Sequence, residues 1–340
     1  MRMMKQARIS SSKASDVIPY LMELGFVDRS AKISREGDSR LVPITYGRED
    51  ELIGMGYEVT EGPAYTMERR KPQERILNML SDLPEDVRSV LPMKWEYVGN
   101  VVILKFDEKC LPYKKRIGEV YADILGAKTV CADSNGITGE LRRPSTETIY
   151  GNDTKSTRLE NGIFYEFDVS KIMFASGNTD ERHRMGELDC GGETVVDMFA
   201  GIGYFTLPIA KFTGARRVFA CEKNPDSYSY LIRNIERNGV YDKVVPILCD
   251  NRHILGKKFA DRVIMGYVQT TSVFLPKALE IVKHGGIVHY HDTFYVDEYE
   301  EKIEGIFSAA AGKGFEIEKI REVKSFAPAV SHYVADVRIL

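Results

Sequence analysis

Between residues 194 and 291 the chain alternates two kinds of apolar pattern. Short β-branched and apolar runs bounded by turn residues, such as TVVDMFA and VFACE, predict buried parallel strands at 194–199, 217–222, 244–249, 261–266 and 286–291. Between and after them, apolar residues recur at helical spacing and predict helices at about 204–213, 225–238, 272–284 and 297–313. Strands alternating with helices specify an open parallel sheet covered on both faces. FEIEKIREV and SHYVADVRIL then close the chain with no helix between them, which predicts a hairpin at one edge.

Upstream the pattern is less regular. From Ser11 to about Pro63, DVIPYLMELGFVDRS predicts an amphipathic helix followed by a small strand-bearing module. MERRKPQER, without apolar periodicity, reads as a charged linker. LNMLSDLPEDVRSVLP predicts a short helix, WEYVGNVVILKF a strand and YKKRIGEVYADILGA a helix, with short strands at TVCADS, ITGELRRP and ETIYG. The expected organisation is a small α+β domain over 1–65, an α+β middle domain over 75–171 and a doubly wound, Rossmann-like α/β domain over 172–340. A length of 340 residues fits more than one core.

Composition narrows the class without naming a partner. The chain is 43% hydrophobic and 29% charged with net charge −3, so any nucleic-acid surface must be a local patch. Cys110, Cys131, Cys190, Cys221 and Cys249 are scattered, with no C-x-x-C pair and no histidine at ligand spacing, so reduced thiols and no metal are expected. The N-terminus MRMMKQARIS lacks an apolar h-region and no run approaches the length of a membrane helix, so the expected compartment is the cytoplasm, with no membrane association.

In an open α/β sheet a ligand lies beyond the carboxyl ends of the strands, so each strand end is a place to look for chemistry. The first ends at Asp197 and turns through Gly201 and Gly203, where glycine lets the backbone approach a ligand. The second ends at Glu222, spaced from the glycine turn as an acid that accepts ribose hydroxyls is. A dinucleotide fingerprint would place a third glycine where this chain has Thr206, so S-adenosylmethionine is favoured over a nicotinamide cofactor. Asp250 and Asn251 end the third strand, as adenine contacts or, for Asp250, as a cap of the following turn. The fourth reads DRVIMGYV, with Gly266, Tyr267 and Val268 where enzymes that methylate base nitrogens often carry Asn or Asp and then proline. The fifth places His289 and His291 on one face, for base contact or packing rather than metal binding. Before the sheet, Arg182 is a bidentate donor suited to a methionine carboxylate, unless ERHR is only a solvated helix face.

The segments WEYVGNVVILKF, YKKRIGEVYADILGAKTV, GELRRP, ENGIFYEFDVSKIMF, DERHRM, VVDMFAGIGYFTLPIA, DNR, DRVIMGY, GGIVHYH and SFAP resemble the archaeal and eukaryotic enzymes that modify the purine 3′ of the tRNA anticodon. The resemblance covers about residues 85–340 and includes two branches: tRNA guanine-N1-methyltransferases, and wybutosine-pathway enzymes that move the 3-amino-3-carboxypropyl group of S-adenosylmethionine onto a tricyclic precursor base. It implies a class I, seven-stranded S-adenosylmethionine-dependent methyltransferase fold, with Arg142 and Glu181 near the target base in either branch. The methyltransferase motif at the fourth strand is Asn-Leu-Pro or Asn-Pro-Pro, so MGYV is similar to the aminocarboxypropyltransferase branch, and HYH points the same way. The family serine after KIMF is Ala175 here, which leaves Ser176 as the candidate replacement.

The resemblance implies transfer to position 37 of tRNA(Phe) with release of methylthioadenosine. The expected cofactor residues are Ser176, Arg182, Asp197, Gly201, Gly203, Glu222, Asp250 and Asn251, and the catalytic candidates are Arg142, Glu181 and His291. Lys114, Lys115, Arg116, Arg142 and Arg143 are candidate phosphate contacts, and Tyr267, Tyr290 or Phe294 candidate platforms for a flipped base. The expected partner is the anticodon region of tRNA(Phe), with no obligate protein partner. Residues 1–65 loosely resemble a small first domain that reaches tRNA in some methyltransferases. The competing readings are guanine-N1 methylation and, from another class, an RNA-binding module with a retired cofactor site.

Overall fold

The computed structural model describes residues 2–65, 71–138 and 143–340, and the chain divides into two compact units, Met1–Arg75 and Ile76–Leu340. The first unit is an antiparallel sheet of four strands in the order 34–36, 39–43, 2–10, 58–64. Helix Ala14–Glu23 contributes Leu21 to a core with Ala7, Ile9, Val42 and Leu52. The apolar pattern does not announce the opening strand, Arg2–Ser10, because Gln6 is fully buried within it and donates to the Pro63 carbonyl at 3.2 Å. Of the expected linker, residues 67–70 lie outside the described residues, and Pro72 opens a helix that runs to Met79.

The second unit contains three sheets. Strands Trp95–Val98, Val101–Lys105, Thr129–Thr138 and Arg143–Tyr150 form a mixed sheet in that order. Helix Lys114–Leu125 packs against it through Gly118, where a Cβ would lie 2.9 Å from the Ile149 carbonyl oxygen. A hairpin, Lys155–Glu160 with Ile163–Asp168, follows. The expected boundary near residue 171 falls inside this unit, because Ile163, Tyr165 and Phe167 share one core with Val98, Val101 and the sheet that follows. Asn234 and Asn238 also accept from the Glu166 and Phe164 amides at 2.7 and 2.9 Å.

The third sheet has seven strands: β1 (Thr194–Asp197), β2 (Arg217–Glu222), β3 (Val244–Leu248), β4 (Ala260–Met265), β5 (Val282–Tyr295), β6 (Phe315–Ala327) and β7 (Val330–Ile339). Their spatial order is β3-β2-β1-β4-β5-β7-β6, parallel through the first five, with β7 antiparallel to both neighbours. Successive side chains enter opposite cores, Val195 toward one face and Val196 toward the other. Helices α1 (Thr179–Gly186), α2 (Thr206–Phe212) and α3 (Pro225–Arg237) cover the first face, and α4 (Leu275–Ile281) and α5 (Tyr299–Ala311) the second. Strand order reverses between β1 and β4, so a crevice opens at their carboxyl ends.

Candidate functional site

A cavity of about 250 Å³ occupies that crevice. Its floor is the glycine turn after β1. Asp197 is fully buried and accepts from the Thr206 hydroxyl at 2.7 Å and the Phe199 amide at 3.2 Å. Burial, with the nearby Glu222 charge adding to it, pushes its carboxyl up to about 6. Thr206 thus stands where a dinucleotide site has glycine because it anchors the helix start to Asp197. Gly201 (φ +58) and Gly203 (φ +103) hold left-handed backbone, and a Cβ on Gly203 would lie 2.6 Å from Leu207 Cγ. Asp197 and Gly203 therefore shape the turn from beneath, whereas Gly201 lines the cavity.

Glu222 crosses from β2 to accept from the Gly201 amide at 2.7 Å and the Asn224 amide at 2.6 Å. Burial raises its carboxyl above the ordinary range, against the pull of those amides. Asp250 caps the turn after β3: it accepts from Arg252 through both backbone and guanidinium and pairs with Lys223 at 3.3 Å. The Arg252 hydrogen bonds hold its carboxyl well below the carboxylate range. Asp250 also lines the cavity, so the cap and the site are the same residue. Asn251 donates to the Met198 carbonyl at 3.0 Å, while its Oδ1 is buried without a hydrogen-bond partner. A buried orphan acceptor is costly, and an adenine amino group beside it would remove the cost.

Of two further expected cofactor residues, Ser176 lies outside the crevice and Arg182 lines it but is engaged by protein. Ser176 opens an exposed 3₁₀ turn, Ser176–Asn178, and faces Glu96 in a shallow depression outside the crevice; Ala175 lines the crevice in its stead. Arg182 reaches the cavity wall, with three of its five N–H donors engaged by protein: Nε to Glu160 at 2.5 Å, one from Nη1 to the Ala175 carbonyl at 2.9 Å and one from Nη2 to Thr179 at 3.4 Å. Its guanidinium also lies 4.6 Å from the Phe174 ring centroid. It is a buried structural pair rather than an open fork for a carboxylate.

Glu181 is also buried, held by Arg184 at 2.7 Å and by Arg321. From Arg184 a chain of charges continues to Asp336 at 2.9 Å, His289 at 2.5 Å, Arg262 at 2.8 Å and Glu193 at 2.7 Å. His289 is thereby absorbed beneath the site. His291 instead lines the cavity wall, stacked on Phe205 at 5.3 Å, with Nδ1 3.1 Å from His332 Nε2 and Nε2 3.7 Å from Glu181 Oε1. Beyond β4, Gly266 lies in the cavity wall where a Cβ would sit 2.6 Å from Phe205 Cε2. Tyr267 lines the cavity and stacks on Phe199 at 5.1 Å. Tyr290 is fully buried against Phe307 and serves as core, while Phe294 is half-buried at the core's edge.

The RNA candidates lie on the mixed sheet's helix and strand. Lys114 pairs with Glu147 at 2.5 Å, Lys115 is exposed, and Arg116 donates to the Met79 carbonyl at 3.0 Å. Arg142 lies outside the described residues, and Arg143 opens the strand to Tyr150. Sequence reasoning did not single out Phe205, Lys324, Phe326 or His332, all of which line the cavity. Lys324 and Phe326 lie on β6, Phe326 in the SFAP segment, His332 lies on β7, and Phe205 lies in the glycine turn at the start of α2.

The family model described as the TRM5/TYW2 methyltransferase domain matches residues 156–318, and that of the TYW2 N-terminal domain matches residues 75–154. The tRNA(Phe) (4-demethylwyosine(37)-C(7)) aminocarboxypropyltransferase of Pyrococcus horikoshii is 44% identical over 271 residues, 78% of this chain and 96% of that protein. The chain belongs to the TRM5/TYW2 family. A Methanocaldococcus jannaschii protein of the same name is 41% identical over 72% of this chain and 98% of its own length. Among solved structures, P. horikoshii TYW2 in complex with MeSAdo matches with TM-score 0.70 at 40% identity, covering 79% of this chain and 99% of that one. Trm5b from Pyrococcus abyssi matches with TM-score 0.70 at 32% identity, covering 99% of both chains. Within the second unit, the family's methyltransferase-type fold is that of the seven-stranded sheet and its covering helices, and the mixed sheet falls in the stretch matched by the TYW2 N-terminal domain.

Proposed function

We infer that this chain transfers the 3-amino-3-carboxypropyl group of S-adenosylmethionine to the tricyclic wyosine-precursor base at position 37 of tRNA(Phe), releasing methylthioadenosine. The observation that carries the reading is the end of β4: Gly266 offers no side-chain acceptor for a purine N1, and Phe205 fills the space a larger residue would need. The two aminocarboxypropyltransferases at 44% and 41% identity support the same branch, as does the solved relative in complex with MeSAdo.

The residues present suit the co-substrate. Gly201 brings backbone to the nucleoside, Glu222 offers carboxylate oxygens to the ribose, and Asn251 Oδ1 with Asp250 receives the adenine edge. Arg182 is engaged by Glu160, and the cleft lining also includes the cationic residues Lys171, paired with Asp226, Lys223, paired with Asp250, and Lys324, whose positive charge complements the amino-acid tail. The sulfonium makes three carbons electrophilic, and the product depends on which of them the cleft aligns with the base. Positioning of this kind supplies on the order of 7–11 kcal/mol in the best cases.

Lys114, Lys115, Arg116, Arg142 and Arg143 serve as phosphate contacts for the anticodon arm, and Tyr267 as a platform beside the flipped base. Residues 1–65 add a tRNA-contacting domain, and 75–171 the RNA-binding middle domain. The enzyme acts in the cytoplasm with no obligate protein partner, which suits five unpaired thiols; among the described residues no helix is long and apolar enough to cross a membrane.

Guanine-N1 methylation is the second reading, favoured by the match of Trm5b over nearly the whole chain. Mass spectrometry of the small-molecule product after incubation with tRNA carrying the tricyclic precursor separates the two. Methylthioadenosine is expected, and S-adenosylhomocysteine with a singly methylated tRNA would overturn the reading.

A further inference from the structure

Alkylation at carbon leaves a proton to dispose of. The reaction named for the P. horikoshii relative is at C7 of the precursor base. When a ring carbon uses its π pair to form the C7–Cγ bond, the Cγ–S bond breaks and its pair neutralises sulfur, which departs as the thioether. C7 then holds both the new substituent and its original hydrogen. Ring conjugation returns only when the C7–H pair collapses into the ring and the proton passes to a base.

Two histidines of the cleft wall, His291 and His332, share a contact, and the buried Glu181 carboxylate stands behind His291, whose Nε2 has no hydrogen-bond partner. Glu181 is locked by Arg184 and Arg321 and cannot turn toward a substrate. His291 is enclosed and pinned against Phe205; both its nitrogens face protein, Nδ1 toward His332 at 3.1 Å and Nε2 toward Glu181 at 3.7 Å. A lone pair facing a carboxylate is unfavourable, so the proton of His291 belongs on Nε2, and Nδ1 accepts from His332 Nε2–H. That tautomer leaves His332 Nδ1 as a bare lone pair. Among the described residues the His332 ring makes one hydrogen bond, the one to His291, and the ring lines the cavity.

We propose that His332 is the proton acceptor for C7, and that His291 and Glu181 are positioning residues that keep its Nδ1 unprotonated. The proposal rests on the aminocarboxypropyl-transfer reading. His332 sits on β7 with Thr293 and Lys324 as its register partners on the two flanking strands. Burial, with the neighbouring His291 ring and the Lys324 charge, pushes the ring down to about 3, partly offset by Glu181. The imidazole is thus neutral, and compatible with a sulfonium, at any working pH. A weak base suffices, because a ring carbon carrying both substituent and hydrogen is a strong carbon acid.

The test uses the full chain, S-adenosylmethionine and precursor tRNA with hydrogen or deuterium at C7, under single turnover. His332→Gln keeps a donor for His291 and removes Nδ1. The expected result is a fall of about 100- to 10,000-fold in formation of the rearomatised aminocarboxypropyl base, followed by mass spectrometry as loss of the C7 hydrogen, unchanged methylthioadenosine affinity by calorimetry, and a C7 deuterium isotope effect on that step larger than that of the wild type. His332→Ala is expected to recover part of its rate with added imidazole. Rates within threefold of wild type for both variants, with no isotope effect, would overturn the proposal. A fall matched by loss of affinity, without imidazole rescue, would overturn it in favour of packing. Failure of the wild-type chain to release methylthioadenosine at all would instead strike the functional reading.

Discussion

Asn251 has its amide nitrogen satisfied by the Met198 carbonyl and its oxygen buried with no partner, an arrangement whose cost is recovered only when a donor arrives. An adenine amino group is such a donor; an inosine oxygen in the same place is a second acceptor. Methylthioadenosine should therefore bind at least tenfold more tightly than its inosine analogue, about 1.4 kcal/mol, and Asn251→Ala should remove most of that preference while leaving the Tm nearly unchanged. Titration calorimetry of both ligands on both proteins checks this, and an undiminished preference in the variant would place the adenine edge elsewhere. The glycine turn, Glu222 and the Asp250-Asn251 pair were legible because their types and spacing are set by backbone geometry, which sequence records directly. Arg182 and Ser176 were not. The partner that consumes Arg182, Glu160, is 22 residues away in a hairpin, and the 3₁₀ turn that carries Ser176 outward has no sequence signature.

The helices were read to within a few residues because a period of 3.6 survives where one face is buried, and the central parallel strands because burial on both faces leaves short continuous apolar runs bounded by turn residues. β5 runs from Val282 to Tyr295, well beyond the predicted 286–291, because β7 continues the ladder to Tyr295 where the parallel partner β4 has ended. The same geometry makes the end of β4 a tight place. Installing the methyltransferase-type acceptor there by Gly266→Asn would set a Cβ 2.6 Å from Phe205 Cε2, and Phe205 is itself stacked on His291 at 5.3 Å. The substitution should lower aminocarboxypropyl transfer at least tenfold without creating guanine-N1 methylation. Nucleoside mass spectrometry of the tRNA checks both parts, and appearance of 1-methylguanosine would mean that one side chain at this strand end decides the branch.

At the scale of the whole chain, the P. horikoshii TYW2 structure is covered to 99% of its length by a match that spans 79% of this chain, whereas Trm5b is matched over 99% of both chains. The additional length corresponds to a unit with its own sheet and its own core of Ala7, Ile9, Leu21, Val42 and Leu52. The second unit has complete cores on both faces of its seven-stranded sheet, and Ile76 of the helix that begins at Pro72, with Leu80 just after it, belongs to the core of its mixed sheet. A chain beginning at Lys71 keeps that helix whole. Such a chain should fold, bind methylthioadenosine within twofold of the full-length affinity and retain the regiochemistry of transfer, because every cleft-lining residue lies at or beyond Lys171. Its KM for tRNA should rise while kcat at saturating tRNA is kept, since the removed residues are assigned to holding RNA and not to the chemical step. Calorimetry and steady-state kinetics on the truncated protein test this directly. A tenfold loss of nucleoside affinity would show that the cleft depends on the first unit, and an unchanged KM would remove residues 1–65 from the tRNA-binding surface.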